Sequence, residues 1–258
     1  MSGLALALGL ASGSLVGFSL GLIGGGGSIL AVPLMIYLVG VPQPHVAIGT
    51  SAVAVGVNAA ANLVQHARRG TVKWRCASVF AAAGVAGALV GSTLSKWMDG
   101  QRLLAMFALL MFAVGASMLR RRPEAGSGSI ELSHENFPKL VILGVLTGLL
   151  SGFFGIGGGF LIVPGLMLAT GMPILNAIGS SLVAVAAFGL TSAANYAVSG
   201  LVDWGLAAVF IAGGVLGGLL GAALAKHLAD KRGALNITFA FVIFAVATYM
   251  LVRSLGLA

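Results

Sequence analysis

Acidic side chains are nearly missing from this sequence: there are six in 258 residues, Asp99, Glu124, Glu131, Glu135, Asp203 and Asp230. Each falls in a polar stretch or at the end of an apolar run, so no carboxylate is expected inside an apolar segment. A cation carrier or a carboxylate-based proton relay would place one there. Charged residues of both signs together reach only 8%, against about 25% in a soluble domain, too few to cover a water-facing surface. The single cysteine, Cys76, excludes an internal disulfide and any multi-cysteine metal or redox site, and no cofactor or metal is expected. No lysine or arginine precedes the first apolar run, so that run reads as a retained membrane helix rather than a cleavable signal. Enzyme signatures are absent as well: no Ser–Lys or paired-Asp arrangement within an apolar run and no HExxH.

What is abundant is apolar surface. Hydrophobic residues make up 59% and the mean hydropathy is +1.07. Runs of about 20 apolar residues, enough to cross the hydrocarbon core, recur along the chain. Only helices and closed barrels span a bilayer. These runs are continuous rather than alternating over about ten residues, which argues for helices. The fold class expected is an all-α integral membrane protein. The net charge of +8 comes from basic residues gathered between the runs, at Arg68, Arg69, Lys73 and Arg75, at Arg120 to Arg122, and at Lys226, Lys231 and Arg232. That is the pattern of cytoplasmic loops in an inner-membrane protein rather than of a nucleic-acid surface.

The chain repeats itself. GLIGGGGSILAVP, Gly21 to Pro33, returns as GFFGIGGGFLIVP, Gly152 to Pro164. One single-residue gap then aligns Gly49-Thr50-Ser51 with Gly179-Ser180-Ser181, Trp74 with Trp204, and Gly84, Gly87, Gly91 and Lys96 with Gly214, Gly217, Gly221 and Lys226. Two homologous repeats, 1–120 and 139–258, are expected around a polar linker, 121–138. Each holds a glycine-interrupted stretch (3–39 and 139–170) and three further helices, near 46–66, 74–96 and 102–120 and near 177–198, 204–228 and 234–253. Counted whole, the interrupted stretches make eight spans and parallel repeats; counted as two segments each, they make ten and inverted repeats. The loop Arg68–Arg75 is basic while its equivalent, Ser199–Asp203, has no Lys or Arg, and ten alternating segments gather eleven of the fourteen Lys and Arg on one side. Inverted repeats with broken or re-entrant first elements are therefore expected.

The candidate site follows from the consecutive glycines, Gly24, Gly25, Gly26 and Gly27 with Ser28, and Gly155, Gly157, Gly158 and Gly159. Each glycine costs up to about 1 kcal/mol of helix stability, so such runs break a helix. Inside a bilayer the freed amides are tolerated only where they line a cavity or meet a ligand. A short helix starting near Ser28 or Phe160 would point its positive end into the break and bind an anion. Close helix approach is the competing reading; it suits Gly9, Gly13, Gly17 and Gly21, spaced by four, better than consecutive glycines. Neither run is a phosphate loop, since no Lys-Ser/Thr follows. Thr50-Ser51 and Ser180-Ser181 offer hydroxyls to a substrate or as helix caps. Asn58, Asn62 and Gln65 share a helix face, with Asn195 matching Gln65, and serve either a ligand or interhelical hydrogen bonds. Two histidines, His45 and His66, lie near the membrane edge.

The tandem GLIGGGGSILAVPLM and GFFGIGGGFLIVPGLM, each followed by a Gly-Thr/Ser-Ser helix and by the Trp74 or Trp204 element, resembles the sulfite exporter TauE/SafE family of bacterial membrane permeases over nearly the whole chain. The resemblance implies a duplicated helical permease of the bacterial inner membrane that moves sulfite, sulfonates or related sulfur-containing anions. Ile156 and Gly159 stand where the first copy has Gly25 and Ser28, so the two half-sites differ. The function expected is export of a small oxyanion, with the glycine runs and Ser/Thr pairs as its site, and the partners expected are that anion and membrane lipid, with no nucleic acid. Export from an inside-negative cell is downhill by about 2.3 kcal/mol per charge per 100 mV. The alternative is uptake of an organosulfonate or other solute coupled to protons through His45 or His66. Substrate, direction and oligomeric state are open at this stage.

Overall fold

The computed structural model describes residues 3–23, 25–119, 132–227 and 232–254, and among these it contains helices and turns but no strand. In chain order they are α1 (Gly3–Ile23); a composite segment, α2, made of a 3-10 helix Gly25–Leu30, an α turn Ala31–Pro33 and a π turn Leu34–Leu38; α3 (Pro44–Arg68); α4 (Trp74–Lys96); α5 (Gly100–Leu119); α6 (Phe137–Phe154); α7 (Gly159–Thr170); α8 (Ile174–Val198); α9 (Trp204–His227); and α10 (Arg232–Ser254). Seven of the described helices are long and apolar enough to cross a membrane, while 27–38, 159–170 and 240–254 form shorter apolar helices. At 25 residues, α3 and α8 are each about 37 Å long. Prolines mark the irregular places. Pro44 and Pro138 sit in first turns, where a missing N–H costs nothing, and Pro33 closes the α turn at which α2 widens to π geometry.

The linker expected at 121–138 falls mostly outside the described residues. Its last two, Phe137 and Pro138, open α6 instead, since proline suits a first helical turn.

Small residues decide how the helices meet. Gly13 and Gly17 of α1 lie against the Phe210 and Gly214 carbonyls of α9 so closely that a Cβ at either glycine would overlap them. Gly144, Gly148 and Gly152 of α6 meet Phe80, Gly84 and Ala88 of α4 in the same way. Both pairs run parallel, the contacts advancing together along the two helices. Such approach is the small-xxx-small mode, in which backbones touch and Cα–H groups face carbonyls. α3 and α8 cross antiparallel at the centre, with Gly56 on Gly189 and Gly49 beside Tyr196. α3 also runs parallel to α9, with Asn58 and Asn62 at Gly214 and Gly218, and α5 packs on α10.

Large apolar side chains are divided between centre and rim. Phe80, Phe107, Phe188, Phe210, Ile48 and Ile156 are fully buried. Leu89, Val90 and Leu94 of α4 and Leu216, Leu219 and Leu220 of α9 are exposed on the outer faces, where a bilayer would cover them. Trp74, Trp97 and Trp204 are all exposed and all stand at helix ends, the depth at which an indole ring meets both lipid and water.

Candidate functional site

The second glycine run is a hairpin tip. Gly155, at φ +66°, ends α6 by donating its N–H to Ser151 O, and Ile156 N–H reaches the same carbonyl. Gly157 and Gly158 are also left-handed, at +65° and +66°, a conformation that costs an L-residue about 1–2 kcal/mol. Leu161 and Ile162 donate back to Gly158 O at 2.9 and 3.0 Å, which starts α7. The amides of Gly158, Gly159 and Phe160 are then at the head of the helix, where no intrahelical acceptor exists. α7 returns along α6: Gly158 lies beside Ser151, and Gly165 beside Thr147.

This tip is buried at the crossing of the two longest helices. Residues 154–160 are all buried. Gly155 abuts Ile48, and Gly157 fits between Val55 of α3 and Val185 of α8, both near the middle of their helices. Ser51 Oγ donates to Ile48 O at 2.9 Å and lies 3.4 Å from Gly155 O. Ser151 Oγ is buried against Gly158 without a hydrogen-bond partner. No ionisable residue occurs from Phe153 to Ile174, so the electrostatics there are those of backbone dipoles and hydroxyls.

The first run is built on the same plan with different local geometry. Gly24 lies outside the described residues. Gly25 and Gly26 begin a 3-10 helix rather than an open loop preceding Ser28. Gly27 lies on Ser19 and Leu20, so the chain turns back along α1, and Gly27 and Ser28 are buried. The segment packs on α7 and touches α8. The segment that carries the first run therefore lies beside α7, which the second run opens.

The remaining predicted residues divide. Ser51 meets the second tip, and Ser181 Oγ donates to Ile178 O at 2.8 Å on the equivalent turn of α8. Thr50 and Ser180 point elsewhere: Thr50 Oγ1 accepts the Asp203 N–H at 3.0 Å and Ser180 Oγ accepts the Lys73 N–H at 2.8 Å. Each holds the residue leading into α9 or α4. They do not cap their own helices, which begin six residues earlier at Pro44 and Ile174. Asn195 is about 15 Å along α8 from Val185. Its amide is fully used, donating to Ser92 Oγ and Thr93 Oγ1 and accepting from Lys96 Nζ at 2.8 Å. Asn62 donates to the Asn58 carbonyl, while the Asn58 side chain has no partner. His45 bonds Met98 O and His66 bonds Thr71 Oγ1, both near helix ends. A cavity of about 270 Å³ opens at the end of the bundle where α1 begins, lined by residues 39–43, Asp203 and Leu206 and separate from the tips. Sequence reasoning missed Ser151; the signal was a hydroxyl one helical turn ahead of Gly155.

The family profile described as Sulfite exporter TauE/SafE matches residues 9–250. Proteins named "Probable membrane transporter protein" in two strains of Xylella fastidiosa are 53% identical over 249 residues, covering 95% of this chain and 94% of theirs. Bacillus subtilis "Probable membrane transporter protein YunE" is 28% identical over 231 residues, 81% of this chain and 85% of its own. No solved structure matches the chain. This multi-pass helical protein is a membrane transporter rather than an enzyme, and it belongs to the sulfite exporter TauE/SafE family.

Proposed function

We propose that this transporter carries a small sulfur-containing oxyanion, sulfite or a sulfonate, outward across a bacterial inner membrane, and that the anion binds between the tips of the two glycine hairpins. The observation that carries this reading is the buried tip at Gly155–Gly158, wedged between Val55 and Val185 at mid-helix. It aims the head of α7 and the unpartnered Ser151 hydroxyl into the protein rather than toward lipid. Free amides and a positive helix end stabilise negative charge without a cationic side chain. The proposed contacts are the backbone of residues 24–28 and 155–159 with Ser28, Ser51, Ser151 and Ser181, while Asn58 is taken up below. Thr50, Ser180 and Asn195 are given structural roles, because their polar atoms already hold helix starts or Lys96.

The halves are proposed to be inverted repeats. In support, α1, α3 and α9 share one direction and α4, α6 and α8 the other, so that α1 and α6, the first helices of the two halves, oppose each other. Equivalent contacts recur under the repeat offset: Gly17 on Gly214 matches Gly148 on Gly84, and Gly217 on Ser14 matches Gly87 on Val145. In an inverted pair, rocking of one half against the other exposes a fixed central site to each side in turn. Export then runs down the membrane potential without a carboxylate to bind a coupling ion, consistent with Asp99, Glu135 and Asp203 all lying outside the helices.

Flux through proteoliposomes tests the reading. Sulfite or sulfonate loaded inside should leave faster than from protein-free vesicles, and Gly158→Leu and Gly26→Leu should abolish the difference in protein that still runs as a single species in detergent. Unchanged efflux in both variants would remove the hairpin tips from the mechanism. Imposing a pH gradient in each direction separates potential-driven export from proton-coupled uptake.

A further inference from the structure

The two halves place unlike residues at one central position. Asn58 of α3 and Phe188 of α8 are equivalent under the 130-residue offset, and each faces a glycine of its neighbouring helix, Gly214 of α9 or Gly84 of α4. Phe188 fills its place fully and stacks on Phe80, ring centroids 6.4 Å apart. Asn58 is 1% exposed, yet neither Nδ2 nor Oδ1 has a hydrogen-bond partner. A buried amide left unpaired is costly, and an apolar residue would pack there without that cost. Asn58 also lies on the helix face of Ser51, two turns earlier, which reaches the hairpin tip at Gly155.

We infer that Asn58 is the specificity-determining contact for the transported anion, and that the form it selects is the singly protonated oxyanion. This rests on the anion-permease reading and deepens it. A carboxamide presents donors on nitrogen and an acceptor on oxygen side by side. A bare anion oxygen takes the Nδ2–H, but Oδ1 needs a donor. A fully ionised oxyanion has none and would set its own negative oxygens against Oδ1, whereas a protonated one supplies its O–H. A single charge is also less costly than a double one at a depth that holds no cationic side chain. Because Phe188 closes the equivalent place, the selective contact is single and displaced toward α9. Ionisable groups of the protein stand apart from it. α1 has none, α9 has none between Trp204 and Lys226, α8 has only Tyr196, which donates to Ser95, and His45, His66 and Arg68 of α3 are two or more turns away.

The test compares efflux of sulfite, sulfate and methanesulfonate from proteoliposomes near pH 6 and near pH 8, with protein-free vesicles subtracted. Sulfite gains a proton across this range and the other two do not. Sulfite efflux should be several-fold and at most about tenfold faster at the lower pH, following its protonated fraction, and sulfate and methanesulfonate should be slower than sulfite and insensitive to pH. Asn58→Leu should lower sulfite efflux at the lower pH by about tenfold or more and flatten its profile, and Phe188→Leu should leave the profile in place. Equal sulfite efflux at both pH values, or undiminished efflux in Asn58→Leu, overturns this inference and leaves the permease reading standing. The wild-type comparison decides alone if Asn58→Leu does not fold. Absence of efflux for all three anions from folded protein overturns both.

Discussion

Gly157 and Gly171 share a left-handed backbone, at φ +65° and +67°, but differ in surroundings. A Cβ on Gly157 would stand 2.7 Å from a Val55 methyl and 2.9 Å from a Val185 methyl, whereas Gly171, which caps α7, has nothing within 4 Å. Alanine at either site bears the conformational cost of about 1–2 kcal/mol. Only Gly157→Ala adds overpacking, about 1–3 kcal/mol. Gly157→Ala should therefore be the less stable variant by about 1–3 kcal/mol. For a chain of this length that is a Tm lower by about 2–12 °C, read by thermal unfolding of both proteins in the same detergent. Anion efflux per folded molecule should fall in Gly157→Ala, whose tip is displaced, and persist in Gly171→Ala. Equal melting temperatures, or a greater loss in Gly171→Ala, would refute the wedging of the tip between α3 and α8 on which the site depends.

The other tests use different parts of the fold. In a Cys76→Ala background, cysteines placed at the equivalent loop positions Arg69 and Ser199 should be labelled by an impermeant reagent from opposite faces of the membrane; labelling from one face would make the repeats parallel. Thr50→Val and Ser180→Ala each remove the acceptor for an N–H at the start of α9 or α4. Each should lower detergent stability by about 1 kcal/mol, with losses that add in the double variant because the sites are independent. Asn195→Ala strips Lys96 of its 2.8 Å amide partner and should cost about 1–3 kcal/mol with no change in efflux per folded molecule; a selective loss of efflux would return Asn195 to the substrate path.

The glycine runs were legible in the sequence because consecutive glycines inside apolar stretches suit a broken helix better than close packing, which asks for one glycine per turn. What the break would look like was not. Gly25 and Gly26 enter a 3-10 helix while Gly155, Gly157 and Gly158 adopt left-handed turns, and nothing local distinguishes these choices. The serines were legible only as pairs. Adjacent residues on a helix face directions 100° apart, so one of each pair looks inward to its own turn and the other across to a loop more than a hundred residues away. Asn195 fitted either a ligand or interhelical hydrogen bonds from sequence, and its bonds to Lys96, Ser92 and Thr93 favour the second.

By itself the sequence determined the class and the order of the apolar stretches, since a bilayer admits only helices and closed barrels and the runs here are continuous rather than alternating. It also determined where those helices fail, because glycine's cost is local. Tertiary structure alone decided that each failure turns the chain back on the helix before it and that the second is buried at the α3–α8 crossing. It decided too that the first helix of each half lies on the fourth helix of the other, and that Asn58 is left unpaired while Phe188 is packed. Those outcomes depend on contacts between residues more than a hundred positions apart, where backbone meets backbone at glycine, and no periodicity along one helix records which partner will arrive.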